Sequence, residues 1–175
     1  RSTRKESSAA SDVYKRQPLS RIDNLVRDLK LIKHPEGGFY SETYRSCQKI
    51  KNNKDVLMTS IYFLLTSEHV SNFHRISHDE LWFHHEGSPI AIHLLEDGEH
   101  KELILGASFG EECKPQQLVK GNTIFGSAVL EPDSFALVSC VVSPGFNFED
   151  FELFSREDLL KQFPKAHEII TRLTP

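Results

Sequence analysis

The stretch FHRISHDELWFHHEG, Phe73–Gly87, places histidines and carboxylates among aromatic and branched side chains. His74 lies six residues before Glu80. Glu80, Trp82 and His84 share one face of a predicted strand, because side chains alternate along a strand with a period of two. A carboxylate that faces a protein interior is costly unless it is paired or hydrogen-bonded. The stretch therefore predicts a functional site on a buried strand face.

Short strand-like segments fill most of the chain around this stretch. They are rich in β-branched and aromatic residues and are separated by turn residues, of which Asp97-Gly98 predicts a tight hairpin. The predicted strands are Phe39–Arg45, Leu57–Thr66, Val70–Ile76, Leu81–Glu86, Ile90–Leu95, Glu102–Leu105, Gln117–Lys120, Thr123–Val129, Phe135–Ser143 and Phe146–Leu153. This series predicts an all-β domain, which by strand content alone is a jelly roll, an immunoglobulin-like sandwich or an up-and-down barrel.

Helical patterns are predicted at both ends of this strand series. Four apolar residues between Ile22 and Leu29 recur at the spacing of one helical face, and Ser20 is the candidate N-cap. Pro35 and the glycine pair after it are expected to end this helix, because proline disfavours helix in the residue before it. Ser155 is expected to cap a short closing helix.

The first seventeen residues do not read as a natural protein segment. Ser7–Gln17, SSAASDVYKRQ, corresponds to the translation of a transposase adaptor used to prepare sequencing libraries. We therefore expect residues 1–17 to be a disordered artefact with no role in folding or targeting. Residues 18–175 are expected to form a single domain with one core.

Composition excludes several classes of function. The chain has 25 acidic and 21 basic residues and a net charge of −4 at pH 7, and its first seventeen residues hold five of the basic ones. Nucleic-acid and anionic-membrane surfaces need clustered Lys and Arg, so neither partner is expected. No apolar run reaches the roughly 20 residues of a membrane span. Cys47, Cys113 and Cys140 are far apart and match no zinc or redox spacing, which is typical of reduced thiols in a cytoplasmic protein.

Four ordered motifs resemble one protein family. They are HPEGGFYSETYRS (His34–Ser46), TSIYFLLTSEH (Thr59–His69), FHRISHDELWFHHEGSP (Phe73–Pro89) and SPGFNFEDFEL (Ser143–Leu153). Together they resemble the cupin superfamily, cupin-5 type, long carried as a domain of unknown function. The resemblance implies a cupin double-stranded β-helix, a jelly-roll barrel with short N- and C-terminal helices, usually as a homodimer with a pocket in the barrel. It also implies kinship in shape with sugar-nucleotide epimerases that work without metal.

The resemblance also bears on metal binding. The first cupin signature reads His-x-His, three or four residues, Glu, six residues and Gly, and it directs its ligands at one metal. Here His74 and Glu80 fill their slots, whereas Ile76 takes the second histidine slot and Ile124 the histidine slot of the second signature. Two apolar slots predict no metal cofactor, since a metal in this type of site needs at least three protein ligands. A divalent metal held by His74, Glu80 and His84 is the alternative.

Two main classes of function agree with these residues. The first is a metal-independent enzyme, epimerase- or isomerase-like, that acts on a sugar-nucleotide-like or other small polar substrate. In it, His74 is the catalytic acid or base and Glu80 orients it or shares its proton, because a carboxylate partner tunes imidazole near pH 7. The second is a non-catalytic binding module for a small-molecule ligand, and a metal-dependent isomerase or oxygenase is a third. The expected ligand-binding residues are Tyr40, Glu42, Tyr62, Arg75, Trp82 and His84.

Overall fold

The computed structural model of the protein describes residues 21–51, 54–108, 110 and 112–175. The adaptor-like segment and Ser20, the predicted helix cap, lie outside these residues. Within them, strands form two six-stranded sheets. The strands are β1 (Ile32–Lys33), β2 (Phe39–Arg45), β3 (Thr59–Thr66), β4 (Val70–Arg75), β5 (Asp79–Gly87), β6 (Ile90–Glu96), β7 (Glu99–Leu105), β8 (Cys113–Lys114), β9 (Gln116–Val119), β10 (Ile124–Val129), β11 (Phe135–Ser143) and β12 (Glu152–Leu153).

The two sheets pack face to face and enclose the main core. The first sheet has the strand order β1-β2-β3-β11-β5-β9 and the second has the order β12-β4-β10-β6-β7-β8. Neighbouring strands are antiparallel except for the parallel pair β7 and β8. Phe63 of β3, Trp82 of β5 and Phe125 of β10 meet in the cluster between the sheets. This architecture confirms the predicted jelly-roll barrel.

The predicted strand pattern is confirmed over most of the chain. The bounds of β2 and β11 are the predicted ones. Asp97 and Gly98 have φ values of 52° and 78°, and both positive values are those that a two-residue turn between β6 and β7 requires.

The segment after β11 is a loop, so the strand predicted over Phe146–Leu153 is wrong. Phe148–Asp150 forms a single 3₁₀ turn, and strand pairing is limited to β12. The side chain of Asn147 caps this turn by accepting a hydrogen bond from the backbone amide of Glu149. Local capping of this kind competes with strand pairing, and here it carries three phenylalanines over the barrel.

The N-terminal helix α1 includes residues 21–28 and ends before the predicted point. Lys30 has a left-handed φ of 53°, and the amide of Leu31 donates to the carbonyl oxygen of Val26 at 2.9 Å. These are features of a Schellman-type helix end. Strand β1 then precedes Pro35, so Pro35 does not end the helix. The apolar face of α1 packs on the outer face of the first sheet.

Two short C-terminal helices, α2 (Arg156–Gln162) and α3 (His167–Arg172), cover the outer face of the second sheet. Ser155 is the N-cap of α2, as predicted, and its side chain accepts a hydrogen bond from the amide of Asp158. No helix in the described part of the chain is both long enough and apolar enough to cross a membrane.

Strand β10 places Ile124 and Phe125 on opposite faces of the second sheet. Ile124 packs against the C-terminal helices in a cluster with Phe73. Phe125 belongs to the core between the sheets, and its ring centroid lies 4.2 Å from that of His74. Because side chains alternate along a strand, the interior position assigned to Ile124 is occupied by Phe125. The histidine slot of the second cupin signature therefore corresponds to Phe125 and not to Ile124, and the residue in that slot is still apolar.

Candidate active site between the two sheets

A cavity of about 290 Å³ opens between the sheets, beside the loop that follows β11. Its walls are largely aromatic and aliphatic, and comprise Tyr40, Ile61, Phe63, Ile76, Trp82, Val142, Phe146, Phe148 and Phe151. Its polar lining comprises His34, Glu36, Glu42, Arg45, Thr59, His74, Glu80 and Cys140. A concave, mostly apolar site with a few convergent polar groups is typical of small-molecule binding.

Glu36 reaches the cavity from a tight turn between β1 and β2. The amide of Gly37 donates to the carbonyl oxygen of His34 at 3.1 Å. Gly37 has a φ of 117°, and a Cβ atom there would overlap the carbonyl oxygen of Val70, so the turn requires glycine. The Glu36 carbonyl oxygen accepts a hydrogen bond from the amide of Asn72 at 2.8 Å. The turn therefore holds the Glu36 carboxyl group beside β4.

His74 and Glu36 form a buried pair. Nε2 of His74 lies 3.1 Å from Oε2 of Glu36, and Nδ1 of His74 lies 2.8 Å from the carbonyl oxygen of Asn72. Because a carbonyl oxygen can only accept, Nδ1 carries a proton, and Nε2 of the neutral ring is an acceptor. The Ser71 hydroxyl donates to Oε1 of Glu36 at 2.8 Å. A hydrogen bond between Nε2 and Oε2 of this neutral ring therefore needs a proton on the carboxyl group of Glu36.

Burial decides the charge state of this pair. The side chains of His74 and Glu36 are 3% and 8% exposed. Burial lowers the pKa of His74 to about 4 and raises the pKa of Glu36 above its ordinary value, because it disfavours the charged form of each group. Burial therefore favours the form of the pair in which the proton is on Glu36 and both groups are neutral, so that the carboxylic acid donates to the imidazole.

Glu80 projects from β5 into the same cavity and is buried. Burial, and next the neighbouring Glu36 carboxyl group, raise the pKa of Glu80 to about 8, against smaller opposing effects of Trp82 and Cys140. Burial also raises the pKa of the Cys140 thiol well above its ordinary value. At pH 7 Glu80 is therefore mostly protonated and can donate a hydrogen bond or a proton.

His34 completes the cluster from the same turn as Glu36. Nδ1 of His34 lies 3.5 Å from Oε2 of Glu36 and accepts a hydrogen bond from the Glu36 amide at 3.3 Å. Burial lowers the pKa of His34 more than the Glu36 carboxyl raises it, so the ring is neutral at pH 7. The ring lies edge-on to Tyr40, with centroids 4.6 Å apart, and stacks on Phe148 at 6.2 Å.

An ion pair at the solvent-exposed rim ties the phenylalanine loop to the first sheet. Nε and Nη2 of Arg45 donate to the two carboxylate oxygens of Glu42 at 2.9 and 2.7 Å. Nη2 also donates to the carbonyl oxygen of Phe146 at 3.2 Å, and the Phe146 amide donates to the Thr59 hydroxyl at 2.9 Å. The charge of Arg45 is thus already matched by Glu42.

Five of the predicted site residues lie together in this cavity. His74, Glu80, Tyr40, Glu42 and Trp82 all line it. Strand alternation places Glu80 and Trp82 on the interior face of β5, as expected.

Three predicted ligand-binding residues lie elsewhere. Tyr62 packs with the α1 cluster on the outer face of the first sheet. Arg75 donates to Glu152 at 2.6 Å on the surface. His84 lies on the same face of β5 as Glu80 but four residues further along the strand. At the rise of a strand, the two positions are about 13 Å apart. Nε2 of His84 lies 3.1 Å from the carbonyl oxygen of Ser88.

Sequence analysis does not assign Glu36, His34 or Arg45 to the site, although all three line it. All three belong to the motif HPEGGFYSETYRS. The signal that could have found Glu36 is its place beside a glycine pair, because glycine allows the close backbone approach that buries its neighbour.

The described residues do not offer the ligand set of a metal-binding barrel. Among them, no group of three or more His, Cys, Asp or Glu side chains is arranged to hold a metal ion. Both ring nitrogens of His74 already face hydrogen-bond partners. Ile76 and Phe125 occupy neighbouring interior positions, and His84 is not brought together with His74 and Glu80. The absence of a metal cofactor stays a prediction that chemical analysis must test.

The two sheets and the cavity between them define this chain as a cupin barrel. Residues 23–154 match the Cupin_5 family, described as Cupin superfamily (DUF985). The chain belongs to this family, which confirms the resemblance of the four motifs.

Proteins of three other organisms are similar to this chain in sequence or in structure. The chain is 31% identical over 162 residues to the uncharacterized protein YML079W of Saccharomyces cerevisiae. This alignment covers 83% of the chain and 81% of the relative. Protein SO0799 from Shewanella oneidensis has a TM-score of 0.83 and 42% identity, over 87% of this chain and 96% of its own. A hypothetical protein from Leishmania major has a TM-score of 0.82 and 35% identity, over 87% of this chain and 97% of its own. These names give no reaction, so function has to be argued from the site.

Proposed function

We propose that the protein is a metal-independent enzyme that moves a proton on a small polar molecule, as isomerases and epimerases do. The observation that carries this proposal is the opposite pKa shift of two groups in one cavity. The pKa of His74 falls to about 4 and that of Glu80 rises to about 8. At pH 7 the Glu36–His74 pair can accept a proton and the Glu80 carboxyl group can donate one. Such separated pKa values are the mark of an acid and a base in one site.

Proton transfer beside a carbonyl group suits this arrangement best. Glu36 takes a proton from the carbon next to the carbonyl while its own proton moves to Nε2 of His74, and Glu80 gives its proton to the carbonyl oxygen, which produces an enol. The pair gains one positive charge and Glu80 one negative charge, so the net charge of the cavity does not change. This balance favours the step, because an uncompensated buried charge is costly. Return of the proton to the neighbouring carbon completes an isomerisation, and return to the opposite face of the same carbon completes an epimerisation.

A non-catalytic binding module is the second candidate, and the aromatic walls of the same cavity favour it. Tyr40, Phe146 and Phe148 offer apolar contact to a ligand without taking part in proton transfer. The two candidates differ in one observable, which is the exchange of a carbon-bound proton.

Hydrogen exchange in D₂O tests the proposal. Small ketones and ketoses, with dihydroxyacetone and cyclohexanone among them, are incubated with the protein, and the loss of the α-proton signal is followed by ¹H NMR. We expect exchange that His74→Ala and Glu80→Gln lower by about 10²-fold or more. Glu131→Gln, at an exposed position outside the cavity, is the matched control. Binding of these compounds without any exchange favours the binding module instead.

We also propose that the enzyme acts in the cytosol as a homodimer. Its cysteines Cys47, Cys113 and Cys140 are free thiols, which suits a reducing compartment. The outer strands of the first sheet expose Ile32 and Tyr44, at 61% and 50%, and a second copy is the partner we expect there. Light scattering on the gel-filtered protein gives the mass as one chain or two.

A further inference from the structure

Trp82 has a buried indole N–H group that lies near Glu80 but has no acceptor of good geometry among the described residues. The residue is 1% exposed and lines the cavity. Its indole Nε1 lies close enough to Glu80 to affect the pKa of that carboxyl group, yet it makes no hydrogen bond of good geometry within the described residues. A buried N–H group without an acceptor is destabilising, because it has lost its hydrogen bonds to water. Such an orphan donor in a cavity wall needs an explanation, and a ligand oxygen supplies one.

The charges around the cavity disfavour an anionic ligand. Arg45 is the one cation among the described residues that line it, and Glu42 already binds that cation through two hydrogen bonds. The remaining charged or titratable neighbours are carboxyl groups, two neutral imidazoles, the phenol of Tyr40 and a thiol. Burial, together with the Glu36 carboxyl group, makes a negative charge at Glu80 unfavourable. A carboxylate or phosphate on the ligand would meet the same penalty.

The size of the cavity points in the same direction. About 290 Å³ is at the low end of the range for small-molecule sites, which begins near 300 Å³. Its walls are largely apolar, so most of the surface of a ligand in it must be apolar or uncharged. A sugar nucleotide carries two phosphate groups, and no free cation among the described lining residues is placed to receive them.

We infer that the cavity binds a compact, electrically neutral molecule whose carbonyl oxygen accepts hydrogen bonds from Nε1 of Trp82 and from the Glu80 carboxyl group. This inference rests on the proposed function for the identity of the oxygen as a carbonyl, and it narrows the substrate class to uncharged ketones or aldehydes. In this arrangement the two donors hold the oxygen, while the Glu36–His74 pair faces the adjacent carbon.

The chain provides its own reporter for this contact. Trp82 is the only tryptophan in the sequence, so ¹⁵N-labelled protein gives one indole N–H resonance. We would titrate the protein at pH 7 with cyclohexanone and with cyclohexanecarboxylate, which has a similar size and a negative charge. We expect cyclohexanone to move the indole proton downfield in a saturable way, as a new hydrogen bond does. The carboxylate should bind at least about tenfold more weakly, a difference that corresponds to about 1.4 kcal/mol.

A variant separates the hydrogen bond from simple packing. Trp82→Phe keeps an aromatic wall and removes the N–H group, and we expect its affinity for cyclohexanone to fall about fivefold, within the range of one hydrogen bond. Ligand-observed NMR measures this affinity. The inference is overturned if the carboxylate binds as tightly as the ketone, if the ketone saturates the site without moving the indole resonance, or if the variant binds the ketone unchanged. If the variant does not fold, the two titrations of the natural sequence decide.

The titrations also separate this inference from the proposed function. A ketone that moves the indole resonance but undergoes no α-proton exchange supports the neutral-carbonyl site and refutes the enzyme. Exchange that occurs while the indole resonance stays unmoved supports the enzyme and refutes the contact with Trp82.

Discussion

Oε2 of Glu36 lies 3.1 Å from Nε2 of His74, and the two side chains share a single proton. Their other polar atoms are held by Ser71, which donates to Glu36, and by Asn72, whose carbonyl oxygen accepts from His74. The shared proton is therefore the one that can move in response to a substrate. A pair held in this way can take up a second proton without rearranging its surroundings, which is the preorganisation that proton transfer needs.

Glu36→Gln tests whether the shared proton is required. An amide of the same shape can still donate a hydrogen bond to Nε2 of His74, but it cannot take up the substrate proton. We expect α-proton exchange to fall by about 10²-fold or more, while the melting temperature changes by only a few degrees. Glu131→Gln is the control for the same chemical change at an exposed site. If Glu36→Gln exchanges ketone protons at the natural rate, the pair is architectural.

The pH dependence of exchange should show two limbs. The base must be unprotonated, so the rate should fall below about pH 4, the pKa of His74. The acid must be protonated, so the rate should also fall above about pH 8, the pKa of Glu80. Exchange measured by NMR from pH 3.5 to 9 gives this profile. The residual activity of Glu80→Gln should lack the upper limb, and an upper limb that persists there would assign it to another group.

The sequence predicts the strands that surround this site better than it predicts Glu36, which reaches the site from a turn. Strand β11 has its predicted bounds because turn residues flank it, and alternation along β5 is sufficient to turn Glu80 and Trp82 inward. Glu36 could not be found in this way, because its burial depends on the contact of Gly37 with Val70, a residue distant in the sequence. Strand alternation carries no information on such contacts.

Two further predictions, that His84 lies in the site and that Phe146–Leu153 is a strand, are wrong for reasons that are also local. His84 has the correct strand face, but alternation does not say how far along β5 the cavity extends. The phenylalanines in Phe146–Leu153 alternate as a strand would at 146 and 148, yet the cap of Asn147 turns the backbone into a 3₁₀ turn. The side chains predicted to pack in a strand therefore line the cavity from a loop.

Folding stability should fall as the pH rises from 6.5 to 8. The pKa of Glu80 is about 8 in the folded protein against an ordinary value of 4.5, so the folded state binds the proton more tightly and loses stability from pH 4.5 to 8. His74 acts in the opposite sense, because its folded pKa of about 4 lies below 6.5, and stability rises with pH from 4 to 6.5. Above pH 6.5 the loss of stability that Glu80 causes is therefore no longer offset by His74.

Glu80→Gln isolates that effect. Over the window from pH 6.5 to 8, Glu80 should lower the free energy of unfolding by roughly 2 kcal/mol, at about 1.4 kcal/mol per pH unit. Urea unfolding at several pH values in this window measures the slope for both proteins. The slope should be shallower in Glu80→Gln, and the part that remains includes Glu36, whose pKa is also raised. Equal slopes in the two proteins would show that Glu80 is ionised in the folded state.

The isolated protein should carry no stoichiometric transition metal and should need none for exchange. A metal site of this class requires three protein ligands. The interior offers His74, whose two nitrogens already face Asn72 and Glu36, while Ile76 and Phe125 hold the neighbouring positions. Elemental analysis should find well below one iron, zinc, nickel or manganese per chain. EDTA should leave α-proton exchange unchanged, and added zinc or manganese should not raise it. About one metal per chain that disappears in His74→Ala, but not in Glu131→Gln, would contradict this prediction, since it would show that His74 leaves its hydrogen bonds to bind a metal.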